Sequence, residues 1–233
     1  MFPVGLVIML TTFGQQYLWT SSIFLGLQAL ILLMYVLKLY GTACSLIPSA
    51  IILTLSFFIE YAGVNTGYPF GNYIYSDILV PQLFGVPIAI AFAWFSVTVS
   101  AYLITIDLYG KAGIFTIALI SSALIFSTDI LLEPFASFVN GFWLWNSGKI
   151  PFQNFISWLV LGFLFSLFLS LFIKPGKEAE PFSGKIPYIV LTVNMFTFLI
   201  INIYNNYIFM SVVGASIIAF ILLILPVIAK NEA

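Results

Sequence analysis

Apolar residues form a series of long runs along almost the whole chain. A bilayer core about 30 Å thick requires a helix of about 20 apolar residues, and most of the runs have that length. The pattern therefore predicts an all-α fold, a polytopic integral membrane bundle with about 7–8 transmembrane helices in a single domain, residues 1–233. The first run is short and is interrupted by Gln15 and Gln16, so whether it spans is left open. The runs lie near 3–18, 21–40, 43–62, 83–106, 112–132, 154–173, 187–205 and 208–229.

The composition supports a membrane protein. Of the 233 residues, 62% are hydrophobic and 6% are charged, and the mean hydropathy is +1.16. Soluble domains carry about 25% charged residues, so this chain could not cover itself with a water-soluble surface. The formal net charge is −1, with seven lysines and no arginine. That balance argues against nucleic acid as a partner, because binding phosphates needs a basic surface.

The placement of the lysines predicts an orientation. Loops rich in lysine and arginine face the cytoplasm. If the runs cross the membrane alternately, Lys149 falls on one side and the other six lysines fall on the opposite side, which we take as cytoplasmic. We therefore expect a multi-pass protein of the cell (plasma) membrane. The six lysines are Lys38, Lys111, Lys174, Lys177, Lys185 and Lys230.

Residues suited to metal chemistry are scarce. The chain has no histidine and one cysteine, Cys44. Haem proteins, di-iron oxygenases and most zinc enzymes use imidazole ligands, and iron–sulfur clusters need several cysteines. The sequence therefore predicts no metal site and no cofactor. Cys44 lies in an apolar run, where we expect it to be a small packing residue.

Two long connections, about 63–82 and 133–153, emerge on the side opposite the six lysines. They are rich in aromatic residues and contain GVNTGYPFGNYIYSD and EPFASFVNGFWLWNSGKIPFQN. One interpretation is an aromatic belt at the level of the lipid headgroups. However, the interleaved Gly, Pro and Asn favour defined turns, which a belt does not need. Loops also carry function more often than spans do, so we expect a functional role for these two.

Carboxylates inside membrane spans are costly and usually functional. Glu60 lies at the end of the third run, and Asp129 lies near the end of the fifth. Glu133 follows Asp129 by four residues, so both would lie on one helix face. Asp77 in the first aromatic loop is more typical of a turn residue. All four belong to the non-cytoplasmic half, where we expect them to converge on one pocket.

Four segments carry a resemblance to a known family: IEYAGVNTGYPFGNYIYSD, FGVPIAIAFAW, STDILLEPFA and NGFWLWNSGKIPFQNFISW. Together they resemble the carotenoid biosynthesis membrane-protein family that includes bisanhydrobacterioruberin hydratase and the carotenoid 1′-hydratases. The likeness runs from Glu60 to Trp158, inside a family-like core of about 43–173. One position departs from the pattern, because Glu133-Pro134 stands where an Asp-Pro pair is expected.

The resemblance implies a metal-independent hydratase of the hydro-lyase type. Such an enzyme adds water across the terminal C=C bond of an acyclic carotenoid ψ-end and gives a tertiary alcohol. Paired carboxylates in different environments can divide the acid and base roles. We favour Asp129 as the general acid, Glu60 as the base or the group that orients water, and Glu133 as a residue that tunes or replaces one of them. The substrate-binding residues it implies are Tyr68, Tyr73, Trp94, Trp143, Trp145 and Asn154.

Two other interpretations stay open. A lycopene-cyclase-type enzyme begins with the same protonation, but an internal double bond captures the cation and water must be excluded. A non-enzymatic membrane transporter or lipid-binding protein would contain no reacting site. The partners predicted from the sequence are a carotenoid substrate and membrane lipid, and other carotenoid enzymes are compatible with it. Which carotenoid reacts, and at one end or both, is not decided by the sequence.

Overall fold

The computed structural model describes residues 2–11, 13–174 and 185–224. Eight α-helices form within these residues, and six of them are long and apolar enough to cross a membrane. The predicted all-α membrane bundle is therefore confirmed. The helices are α1 (Phe2–Leu10), α2 (Thr20–Tyr40), α3 (Thr42–Thr66), α4 (Ile88–Tyr109), α5 (Ile114–Glu133), α6 (Phe152–Leu169), α7 (Ile186–Tyr204) and α8 (Ile208–Ala219).

Two helices continue beyond their α-helical part as π-helical turns. The turn after α5 covers Pro134–Val139, and the turn after α8 covers Phe220–Ile224. With its π turn, α8 forms a shorter apolar helix over Ile208–Leu223. Lys177 and Lys230, two of the lysines used to predict orientation, lie outside the described residues.

The first hydrophobic run differs from the predicted helix at 3–18. Helix α1 ends at Leu10, and a single 3₁₀ turn follows at Gln15–Tyr17. Between them the chain folds back so tightly that a Cβ on Gly14 would lie 2.1 Å from the carbonyl oxygen of Ile8. A nine-residue helix is about 13 Å long, less than half of a bilayer core, so α1 does not span by itself.

Helix α4 occupies the centre of the bundle. Its side chains are buried on nearly every face, and it packs against α2, α3, α5, α6 and α7. A helix that is apolar all round is expected in such a central position. Small residues bring its neighbours together: the Cα of Gly162 on α6 packs closely on Ile125 of α5, and that of Gly214 on α8 packs on Leu131 of α5.

The two aromatic connections pair with each other above the helix ends. Strand β1 (Tyr73–Tyr75) runs antiparallel to β4 (Trp143–Trp145), and Tyr73 lies opposite Trp145 while Tyr75 lies opposite Trp143. A second small pair joins β2 (Gln82–Leu83) to β3 (Val86–Pro87) just before α4 begins. Because successive side chains of a strand point to opposite faces, the aromatic rings of β1 and β4 share one face and point toward the helices.

Candidate active site

Glu60 is a buried carboxylate that accepts three hydrogen bonds. It lies on α3, six residues before that helix ends, and its exposed fraction is 5%. The hydroxyls of Tyr73 and Tyr75 donate to Oε2 at 2.5 and 2.7 Å, and Nε1 of Trp94 donates to Oε1 at 2.8 Å. All of these partners are donors, so the geometry is that of an acceptor carboxylate.

The two tyrosines of β1 are fixed as hydrogen-bond donors. Burial, and then the nearby Glu60 carboxylate, raise the pKa of Tyr73 and of Tyr75 above the ordinary phenol value. Both hydroxyls therefore keep their protons at neutral and mildly alkaline pH. Tyr73 was expected from the sequence, whereas Tyr75 was missed. The signal was present, because Tyr-Ile-Tyr in a strand places both rings on one face.

Glu133 at the end of α5 has its own set of donors. Nε1 of Trp145 donates to Oε2 at 2.9 Å, and Nε1 of Trp143 approaches the same oxygen at 3.4 Å. Nδ2 of Asn154 donates to Oε1 at 2.9 Å. The strand pair thus connects the two carboxylates, since β1 supplies the tyrosine donors of Glu60 and β4 supplies the tryptophan donors of Glu133.

Asp129 lies one helical turn before Glu133 on the same face of α5 and is fully buried. Nδ2 of Asn154 donates to its Oδ2 at 3.1 Å, so a single amide group bridges both carboxyl groups. The other oxygen, Oδ1, has no hydrogen-bond partner within the described part of the chain. Buried oxygens without a partner are rare and call for an explanation.

A cavity of about 450 Å³ joins these groups. Its other walls are mainly apolar side chains from α1, α2 and α4, and α2 and α7 add the polar residues Thr20, Ser21, Asn194 and Thr197. Asp129 and Tyr68 do not line it: Asp129 lies behind Asn154, and Tyr68 is 73% exposed on its loop. Asp77 is also exposed, as expected for a turn residue. The predicted site residues that do line the cavity are Glu60, Tyr73, Trp94, Glu133, Trp143, Trp145 and Asn154.

Stacked aromatic rings form part of the cavity wall. Trp94 stacks on Trp158 with ring centroids 3.9 Å apart, and Phe165 meets Trp94 edge-on. Trp158 belongs to the quoted sequence pattern but was not predicted as a binding residue. Such rings give an apolar ligand a flat surface, and their faces attract positive charge.

The described residues contain no group of three or more His, Cys, Asp or Glu side chains that could hold a metal ion. Glu60 is held by two phenol hydroxyls and one indole N–H, and the Asp129–Glu133 pair is held separately by indole and amide N–H groups. What the arrangement offers is proton chemistry: two carboxylate centres facing one apolar space, at the end of the bundle that the aromatic connections cover.

Comparison with known proteins identifies the family of the chain. A protein-family model described as "Carotenoid biosynthesis protein" matches residues 20–223. A curated relative, bisanhydrobacterioruberin hydratase from Haloarcula japonica, is 37% identical over 117 residues, which are 47% of this chain and 40% of the relative. The chain thus matches less than half of that relative's length. No solved structure matches the chain.

Proposed function

Because the chain belongs to the carotenoid biosynthesis protein family, we propose that it hydrates the terminal C=C bond of an acyclic carotenoid and forms a tertiary alcohol. The observation that carries this proposal is the pair of carboxylate centres, Glu60 and Glu133, on one cavity with otherwise mainly apolar walls. An apolar cavity suits a polyene end group, and two separately held carboxylates suit a reaction that needs one acid and one base.

The reaction consumes one water and needs no oxidant. A carboxylic acid gives a proton to the less substituted carbon of the double bond, and the π electrons form the new C–H bond. The positive charge develops on the tertiary carbon, where the faces of Trp94 and Trp143 can stabilise it. The oxygen of water bonds to that carbon, and a carboxylate takes the proton that this water loses. A proton then returns from the protonated base to the acid, so the sum is the alkene plus water giving the alcohol.

We assign the acid to the Asp129–Glu133 pair. A general acid must hold a proton before the alkene arrives. Two carboxyl groups one helical turn apart in a dry environment are expected to share a single proton between them. Both N–H groups of Asn154 are already donated to this pair, which leaves Oδ1 of Asp129 without a donor. Glu133 is the member that lines the cavity, so it is the one that delivers the proton. The sequence favours Asp129 for that role, and the position of the cavity favours Glu133.

Glu60 then serves as the base or as the group that orients water. Its three donors hold it as an acceptor, and the Tyr73 and Tyr75 hydroxyls beside it can also contact a water molecule. Asn154 and the two tryptophans of β4 position Glu133. In this assignment Trp94 has two roles, because its ring forms the cavity wall and its N–H holds Glu60.

The test is to express the chain in a host that makes an acyclic carotenoid, in water enriched in heavy oxygen, and to measure pigment masses. Hydration predicts a new pigment heavier by one labelled water. A new pigment of unchanged mass would replace hydration by end-group cyclisation. If two different acyclic carotenoids give no new pigment although the protein is present in the membrane, the hydratase assignment fails for those substrates, and a transport or lipid-binding role gains weight.

A further inference from the structure

The cavity is much shorter than a carotenoid. On α4 its wall runs from Ile90 to Val97, eight residues or about 10 Å of helix. On α7 it runs only from Asn194 to Phe198, about 6 Å. A carotenoid is about as long as a bilayer core is thick, about 30 Å. Most of such a molecule therefore has to lie outside the cavity.

The outer part of the polyene cannot continue down the axis of the bundle. Beyond Val97 the central helix is packed on all sides: Ala101, Tyr102 and Ile104 have exposed fractions of 0–1%. The hydroxyl of Tyr102 also donates to the carbonyl of Ile173, which follows α6, and this bond links α4 to the chain after α6. The cytoplasmic half of the bundle is thus filled with side chains.

One side of the cavity is less closed. The carboxylate end is deeply buried, with Glu133 at 1% exposure, whereas Ile23 on α2 is 52% exposed, the largest fraction among the lining residues of the described chain. The short helix α1, which packs on α7, adds Gly5, Ile8 and Met9 to the wall of the cavity. These residues are apolar, and α2 is one of the helices able to span the membrane, so this side faces lipid.

We infer that α1 and the start of α2 frame a lateral portal through which a polyene enters end-first from the lipid, with only its terminal group reaching Glu133. This inference rests on the proposed function for the identity of the ligand, and it adds the route and the part of the ligand that is recognised. Its consequence is that the enzyme recognises the end group of the substrate and accepts polyenes of different length attached to it. Each end of a symmetrical substrate requires a separate entry.

Gly5 offers a direct test, because a Cβ at this position meets no heavy atom within 4 Å. The series Gly5→Ala, Gly5→Leu and Gly5→Phe fills the portal in steps. Gly113 is the matched control: it too has open space around its missing Cβ, and it lies before α5, far along the chain from the cavity residues. Gly113→Phe therefore adds the same bulk outside the portal.

Two substrates are compared in membranes that contain each variant: a full-length acyclic carotenoid and a short acyclic isoprenoid with the same terminal alkene. We expect Gly5→Phe to lower kcat/KM for the full-length polyene by about tenfold, equivalent to about 1.4 kcal/mol. Turnover of the short substrate, which needs only the space near Glu133, should fall much less in the same variant, and thermal unfolding equal to that of the wild type shows that the variant is folded. Gly5→Ala and Gly5→Leu should fall in between, and Gly113→Phe should match the wild type.

If Gly5→Phe lowers the turnover of both substrates equally, or of neither, the portal is overturned. Binding of the full-length polyene, measured by quenching of tryptophan fluorescence, separates this inference from the proposed function. A wild-type protein that binds the polyene without hydrating it contradicts the function alone, and loss of that binding in Gly5→Phe but not in Gly113→Phe still supports the portal. A wild-type protein that neither binds nor converts the polyene overturns both.

Discussion

Two carboxylates in this protein face the same apolar cavity but differ in their surroundings. Glu60 is held by two phenol hydroxyls and one indole N–H, whereas Glu133 is held by two indoles and an amide that it shares with Asp129. In a dry site such donors fix where the carboxylate oxygens lie, and charge-assisted hydrogen bonds are about twice as strong as neutral ones. In the proposed mechanism, Glu133 and Asp129 lie one turn apart on the same amide group and share a proton that can be given to the alkene, whereas the three donors of Glu60 all point to one carboxylate that is suited to accept a proton.

At the residue scale we predict that Glu133→Gln abolishes most of the hydration. General acid catalysis contributes about 10²–10⁴-fold, so turnover of an acyclic carotenoid should fall by about that factor at equal amounts of membrane-inserted protein. The measurement is the initial rate of formation of the labelled alcohol. Asp77→Asn is the matched control, because it also removes one carboxylate, from an exposed turn, and its rate should equal that of the wild type.

Asp129→Asn in the same assay distinguishes the two members of the pair. If Asp129 acts through Asn154 and Glu133, kcat should fall less than in Glu133→Gln, and KM should stay unchanged. A loss as large as that of Glu133→Gln, with substrate binding retained, would make Asp129 the proton donor. Full activity of Glu133→Gln would remove Glu133 from the mechanism, and full activity of both variants would remove the pair.

At the scale of secondary-structure elements, the site depends on how closely β1 packs on α3. A Cβ on Gly63 of α3 would lie 2.8 Å from the Tyr73 hydroxyl oxygen and 2.9 Å from the ring of Phe70. A methyl group fits there only if the rings of Tyr73 and Phe70 move. Since Gly63 is about one turn after Glu60, such a movement would carry Tyr73 away from the carboxylate that it contacts.

We therefore predict that Gly63→Ala impairs activity more than stability. Overpacking costs about 1–3 kcal/mol, and displacement of the Tyr73 hydroxyl should lower turnover by about tenfold or more, since small misplacements in an active site are costly. Turnover and thermal unfolding in detergent are measured together. Gly26→Ala on α2 is the control, because its Cβ would meet Phe92 at an ordinary 3.7 Å. Equal activity of the two variants would contradict this account of the packing.

At the scale of the whole molecule, the aromatic connections, the carboxylates and the β1–β4 pair all gather at one end of the bundle. Lys149 lies at this end, between β4 and α6, whereas Lys111 lies in the turn between α4 and α5 at the other end. The excess of lysines at the second end predicts that this end is cytoplasmic. The reacting end of the substrate would then lie near the outer interface, where water is available.

This orientation can be tested with cysteines, because Cys44 is the single native thiol. In a Cys44→Ser background, Lys149→Cys should react with a membrane-impermeant maleimide added to intact cells, and Lys111→Cys should react only after the membrane is opened. The reverse pattern would place the site on the cytoplasmic side. Labelling of neither residue in intact cells but of both in opened cells would point to an internal membrane.

The sequence by itself determined the helical bundle and the protein family. Apolar runs of membrane length form helices, because the backbone N–H and C=O groups in lipid must find their hydrogen-bond partners within the helix. The carboxylates near the ends of the third and fifth runs stood out for the same reason, since a charge in lipid is costly. The quoted segments also pointed to the family that the comparisons show.

Only the tertiary structure decided which side chains meet. The pairing of Tyr73 with Trp145 joins residues far apart in the chain, and no local pattern fixes that register. It also separated Glu133 from Asp129, which share a helix face in the sequence pattern, because the cavity reaches one of them and stops before the other. The first hydrophobic run was resolved in the same way: hydropathy measures only how apolar the run is, whereas the close packing of Gly14 on Ile8 turns the chain back and leaves α1 too short to span.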